Sequence, residues 1–193
     1  MPFLEKSRGL HPDQSRIHLI HALASDQDSE DATFYVDKEW SGRSSAVRDH
    51  LSDNVRVEHV PSISVDRWLR GRHLQSLDLV FKIDVEGFEV KVLAGLKQTI
   101  ASATRFLGIV EFNSTALKQA GNDPLDVFSF LEAETVQIFS CDRNGSIVPF
   151  ASNEWKKLAA KQEDIEVDLI VVKLPFGHEL FGQISQSVGP EKH

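Results

Sequence analysis

Three carboxylates, Asp84, Glu86 and Glu89, crowd the stretch VFKIDVEGFEVKVLAGL that runs from Val80 to Leu96, and a fourth, Glu111, closes a later apolar run. Acids gathered at one place serve proton transfer or hold a divalent cation. They also have a plainer use, since an acid before a helix caps it or favours its positive N-terminal end. Position decides between these uses. In open α/β sheets, ligands bind beyond the carboxyl ends of the strands.

The elements around these acids put them at such an end. Leu77 to Val85 is an apolar run broken by Asp78, Lys82 and Asp84. Glu86-Gly87 is a turn, and Glu89 to Ala101 has Val92, Leu93, Leu96 and Ile100 at helical spacing. Strand, glycine turn and helix make the first two-thirds of a βαβ unit. With period 2, Lys82, Asp84 and Glu86 share one strand face, and Phe81, Ile83 and Val85 share the other. A buried strand rarely carries a lysine and two acids in line unless they pair or bind something.

The same stretch resembles the motif of the FkbM-type S-adenosylmethionine-dependent methyltransferases. The matching positions are Lys82, Asp84, Val85, Glu86, Gly87, Glu89, Leu93 and Gly95. Ser62 to Asp66 and the pair Ser44-Ser45 also look like recurring features of that family.

Composition narrows the classes. One domain is expected from 193 residues, here residues 1–182, with 183–193 as a polar tail. A net charge of -8 argues against nucleic acid as the main partner. No apolar run approaches a bilayer span, and MPFLEKSRGL has no hydrophobic signal core. Cys141 stands alone, which excludes an intramolecular disulfide and a CxxC metal site, and the chain reads as cytoplasmic.

Along the chain, Phe3 to Leu10 reads as a helix and Ile17 to Ala24 as a strand, with His18 and His21 on opposite faces and so a poor metal pair. Asp26 to Asp31 (DQDSED) reads as a solvated hairpin turn, without the spacing or glycine of a calcium loop. Thr33 to Val36 is β-rich, and Trp40 to Val47 is a polar loop. Val55 to Val60 alternates as a strand that Pro61 ends. Ser64 caps a short helix with Trp68 and Leu69 on its buried side. Phe106 to Phe112 is a strand, and Asp123-Pro124 opens a helix through Glu134 that packs Val127, Phe128 and Leu131. Val136 to Ser140 and Ile147 to Phe150 flank an Asn144-Gly145 hairpin turn, Glu154 to Lys161 is a short helix, and Val167 to Leu174 is the last strand.

The expected fold is α/β: a Rossmann-like class I methyltransferase sheet, mixed with antiparallel closing strands. By the resemblance it lacks its first two βα units, because no strand ending in a glycine-rich Asp-x-Gly loop and no second strand ending in a ribose-binding acid precede Ile17. Without them the strand Ile17 to Ala24 is expected to lose its neighbour and leave a bare edge. Binding of S-adenosylmethionine by the chain as written is expected to be weak or absent.

The resemblance implies methyl transfer to a hydroxyl of a sugar, lipid or polyketide-type small molecule. Asp84 is then the first choice for the base that takes the hydroxyl proton, or for contacting the methionine part of the cofactor, and Glu86 is the second. Glu111, ending the adjacent strand, faces the same crevice. These three acids could also hold a divalent metal, although no spacing fixes one. By the family pattern Ala24, Ser25 and Asp26 border the adenine; otherwise they are simply a turn. Lys82 pairs with a neighbouring acid. Two other classes compete: a non-catalytic interaction or homodimerisation module, and a carboxylate-rich metal hydrolase, for which no His-Asp motif is present.

Overall fold

A computed structural model describes residues 2–39, 42, 44–48, 51–72, 78–131, 136–141, 147–150 and 164–174. The expected Asn144-Gly145 turn, the helix Glu154 to Lys161, the end of the helix at Glu134 and the tail lie outside these residues.

Helix α1 (Pro2–Leu10) is exposed throughout. Three strands, β1 (Leu23–Ala24), β2 (Ser29–Asp37) and β3 (Val55–Ile63), form a small sheet in the order β1-β3-β2. After helix α2 (Val65–Trp68) come β4 (Asp78–Ile83), α3 (Glu89–Ser102), β5 (Arg105–Asn113), α4 (Ser114–Gln119), α5 (Asp126–Leu131), β6 (Val136–Cys141), β7 (Ile147–Pro149) and β8 (Glu166–Lys173). The second sheet runs β4-β5-β8-β6-β7. Only β4 and β5 are parallel within it; β5–β8, β8–β6 and β6–β7 are antiparallel. The chain is therefore mixed α/β, with its antiparallel strands gathered on one side of β5.

The large sheet buries one face of β4 and β5 under α3. Along β5 the alternation is strict: Phe106, Gly108, Val110 and Phe112 are buried, while Leu107 and Ile109 face out. Helix α3 answers with Val92, Leu93, Leu96 and Ile100, each worth about 1.5–3 kcal/mol when fully buried. Phe128 and Leu131 of α5 complete the same core. Two glycines permit close approach. A Cβ on Gly108 would stand 2.2 Å from the Phe81 ring, and one on Gly95 would stand 1.9 Å from the Ser25 carbonyl oxygen. The second contact is where the small sheet meets α3.

Several expectations are corrected. The run Ile17 to Ala24 is a strand only at Leu23–Ala24, because only these two residues find a ladder partner, pairing in parallel with Ser62 and Ile63. Within that short span β1 does stand at an edge of its sheet, with β3 as its one described neighbour, and β4 stands at an edge of the other sheet. DQDSED is not a hairpin turn: β3 lies between β1 and β2, so the segment crosses over it. Asp28 there accepts from the Ser64 N–H at 2.8 Å and pairs with Arg67 at 2.9 Å. Pro61 does not end β3, which runs on to Ile63. Ala32 pairs with Val60 and Ser29 with Ser62, so two residues of β2 face the single Pro61. Such a bulge needs no N–H from proline. Ser64 caps α2 as expected, but Trp68 is exposed, with the Arg72 guanidinium 4.1 Å from its ring centroid. Helix α5 starts at Asp126 rather than after Asp123. The unexpected α4 starts because the Asn113 side chain accepts from the N–H groups of Thr115 and Ala116.

Candidate active site

Parallel pairing of β4 with β5 sets Ile83 opposite Val110. One residue further, Asp84 and Glu111 stand level at the carboxyl ends of neighbouring strands. Glu86 joins them from the turn: carboxylate oxygens of Asp84, Glu86 and Glu111 lie within 4.8 Å of one another. That separation suits a shared cation. The Lys82 ammonium supplies positive charge at the edge of the group, 2.5 Å from the Asp84 carboxylate, and this contact raises the lysine's own proton affinity. The expected pairing of Lys82 is thus with Asp84.

The turn is held from two sides. Glu86 has φ 53 and Gly87 φ 93. For a side chain larger than glycine the left-handed conformation costs about 1–2 kcal/mol. At Gly87 a Cβ would stand 2.7 Å from the Ala116 carbonyl oxygen, so α4 packs directly on the turn. From below, Glu89 folds back, and its Oε1 accepts from the N–H groups of Val85 (3.3 Å) and Gly87 (3.2 Å). The opposite side is held by Ser45, whose single hydroxyl proton is shared between the carbonyl of Glu86 (2.9 Å) and, more weakly, that of Val85 (3.3 Å). Glu86 does not begin the helix as a cap; Phe88 occupies that position and makes no side-chain capping bond.

Electrostatics follow from this crowding. Burial pushes the Glu111 carboxyl up, and the charges of Glu86, Asp84 and Glu89 push it further, to about 8. Burial also raises Glu89, against the pull of its backbone N–H donors. The second oxygens of both, Oε2 of Glu89 and Oε2 of Glu111, are buried with no hydrogen-bond partner. A buried carboxyl lacking partners favours its protonated form. Glu111 therefore holds its proton to higher pH than an ordinary carboxyl does.

Asp84, Glu86 and Glu111 thus come together, whereas Ser25 and Asp26 meet α3 at Gly95 and Lys91 and are not part of that group. The Ser25 N–H donates to the Ile63 carbonyl at 2.9 Å, and its hydroxyl donates to Asp26 at 3.1 Å. Asp26 pairs with Lys91 at 3.1 Å. Burial pushes the Asp26 carboxyl up, but the bonds from Lys91 and Ser25 outweigh it and the net shift is downward. The parts played by Ser45 and Glu89 escaped the sequence reading. Ser45 stood out there only as one of a serine pair, and Glu89 as one of the acids at the strand end and a position of the motif, not as a brace of the turn.

No match was found among curated proteins or among solved structures. Residues 4–139 match the family described as Methyltransferase FkbM domain. The matched span is well over half of the chain and holds every residue of the acidic cluster together with Ser45 and Glu89, and the chain belongs to the FkbM methyltransferase domain family.

Proposed function

We propose that the chain carries the acid-base site for transfer of a methyl group from S-adenosylmethionine to a hydroxyl of a sugar, lipid or polyketide-type small molecule, in the carboxylates beyond β4 and β5, and that it binds the cofactor itself only weakly. The observation that carries this reading is Glu111: a carboxyl raised to about 8, level with Asp84 and beside Glu86. A base works best when its proton affinity lies near the working pH.

When bound, S-adenosylmethionine supplies an electrophilic methyl group carried on a sulfonium. The donor set fits it, since carboxylates suit the positive sulfonium and ammonium. Ionised Glu111 takes the hydroxyl proton as the acceptor oxygen gains its methyl. Asp84 and Glu86 keep negative charge beside Glu111 and so raise its hold on that proton. Glu111 therefore shares the role first expected of Asp84. Ala24 and Ser25 border the adenine mainly through backbone in this reading, because the Ser25 and Asp26 side chains already have partners.

The test is a titration of the isotope-labelled chain with millimolar S-adenosylmethionine, followed by NMR. Shift changes at the amides of Val85 to Gly87 and of Glu111 are expected, with smaller ones at Ala24 to Asp26. Silence at the first group, with the chain folded, would remove the cofactor from this site.

A second reading has its own observation. The outer edge of β4 has no ladder partner among the described residues, and Val80 on it is 79% exposed, beside the exposed Leu107 and Ile109. An antiparallel pairing of two copies about Val80 would set Asp78 opposite Lys82 of the other copy, opposite charges in register. Sedimentation of the chain and of Val80→Lys separates the readings: a dimer that the substitution dissolves favours the interaction module, and a monomer in both removes it.

A further inference from the structure

We propose that Ser45 is a positioning residue: its hydroxyl latches the Val85–Glu86 turn and so holds the Glu86 carboxylate against Asp84 and Glu111. This rests on reading the carboxylates as the acid-base site.

Three carboxylates within 4.8 Å of one another repel whenever more than one is ionised. The easiest relief is for the turn to swing Glu86 away. Its left-handed φ of 53 gives it a second reason to relax. Something must hold it in place. Glu89 grips the turn by its N–H groups, at Val85 and Gly87. Ser45 takes the Glu86 carbonyl and, more weakly, that of Val85.

The serine is itself fixed. It is 1% exposed. Its backbone exchanges two hydrogen bonds with Tyr35 of β2, at 2.9 and 3.0 Å. Its hydroxyl oxygen accepts from the Val47 N–H at 3.1 Å while donating to the turn. The neighbouring Ser44 hydroxyl accepts from the Asp37 N–H at 3.1 Å. A hydroxyl anchored this way on the small sheet resists movement of a turn that belongs to the large one.

The charged groups around Glu111 are Asp84, Glu86 and Glu89 from the turn and α3, Lys82 from β4, and Asp168, its ladder partner on β8. Among these, Glu86 is the acid whose own backbone carbonyl the Ser45 hydroxyl binds. The proposal therefore makes a claim about Glu86 alone, which a merely stabilising serine would not make.

The test follows the Glu111 carboxyl by carbon-detected NMR titration in the full chain, in Ser45→Ala, in Glu86→Gln and in the double variant. Ser45→Ala should move the Glu111 midpoint down from about 8, toward the ordinary carboxylate range, by about one pH unit or more. Glu86→Gln should do the same, and adding Ser45→Ala to it should change the midpoint little further. A folded Ser45→Ala with an unmoved midpoint overturns the proposal, as does an equal drop in the Glu86→Gln background. If Ser45→Ala does not fold, Glu86→Gln should restore folding by removing the repulsion; failure to restore it also overturns the proposal. None of these readouts involves methyl transfer, so a chain without cofactor binding can still carry the latch, and a chain without the latch can still bind cofactor.

Discussion

The buried side chains of the large sheet are Ile83, Phe106, Val110, Phe112, Phe139, Leu169, Val171 and Val172, whereas those of the small sheet and its bridge are Asp37, Ser45 and Ser62. Both regions are equally closed to water at these positions, but different forces keep them so. The first is held by apolar area under α3. Hydrogen bonds with named partners hold the second: Asp37 accepts from the Glu39 and Ser52 N–H groups and the Ser52 hydroxyl, and Ser62 donates to the Gln27 carbonyl. Apolar burial tolerates small shifts, while a satisfied polar group loses everything once its partner moves. The acidic cluster sits where the two kinds of interior meet.

Phe128→Ala should break the comparison at its stronger end. The ring is fully buried, 5.4 Å from Phe112 and 5.7 Å from Phe150 between centroids. A loss of about 3–5 kcal/mol is expected, read from the denaturant midpoint, with both sheets melting together. A loss under about 1 kcal/mol would mean that the cavity collapses.

Gly95→Ala tests the joint. Alanine favours a helix over glycine by about 1 kcal/mol. The new Cβ, 1.9 Å from the Ser25 oxygen, must push β1 off α3. A net loss of about 1–3 kcal/mol is expected, with faster hydrogen exchange at Ser25 and unchanged exchange at Val110. Equal loosening at both amides would contradict the division into two interiors.

Glu111→Gln has the smallest effect and a defined sign. The carboxyl's ordinary value is 4.5, and in the fold it is about 8. Between these values the folded chain keeps a proton that the unfolded chain has released, so stability falls as pH rises through this window. Glu111 is only half-buried, and solvent screening keeps the effect to about 1 kcal/mol. The variant should melt about 2–4 °C above wild type near pH 8.5 and level with it near pH 5. An offset independent of pH would remove the crowded-acid account.

The apolar interior was largely legible in the sequence. Val92, Leu93, Leu96 and Ile100 lie at helical spacing, Phe106 to Phe112 alternates, and Val127, Phe128 and Leu131 fall on one side, so β4, α3, β5, α5 and β8 followed. The level placement of Asp84 and Glu111 followed too, from a strand–turn–helix pattern and a second strand. What escaped depends on partners far away in the chain. Ile17 to Ala22, most of the expected strand Ile17 to Ala24, had a strand's composition but no ladder to join. Pro61 was tolerated because β2 bulges opposite it. Nothing near Ser45 announces a hydrogen bond to a turn 40 residues on. Nor does Glu89 announce that it folds backward rather than facing the crevice.

Among the described residues the two sheets share no ladder. The small one leans on the rest through α3, at Gly95, Lys91 and the Asp66 carboxylate that accepts from the Gln98 and Thr99 N–H groups. A unit joined through so few contacts is expected to open locally at a lower free energy than global unfolding. Each opening carries Ser45 away from the turn. The acid cluster is then complete only in the closed fraction of molecules, and whatever tightens or loosens β2 and β3 sets the size of that fraction.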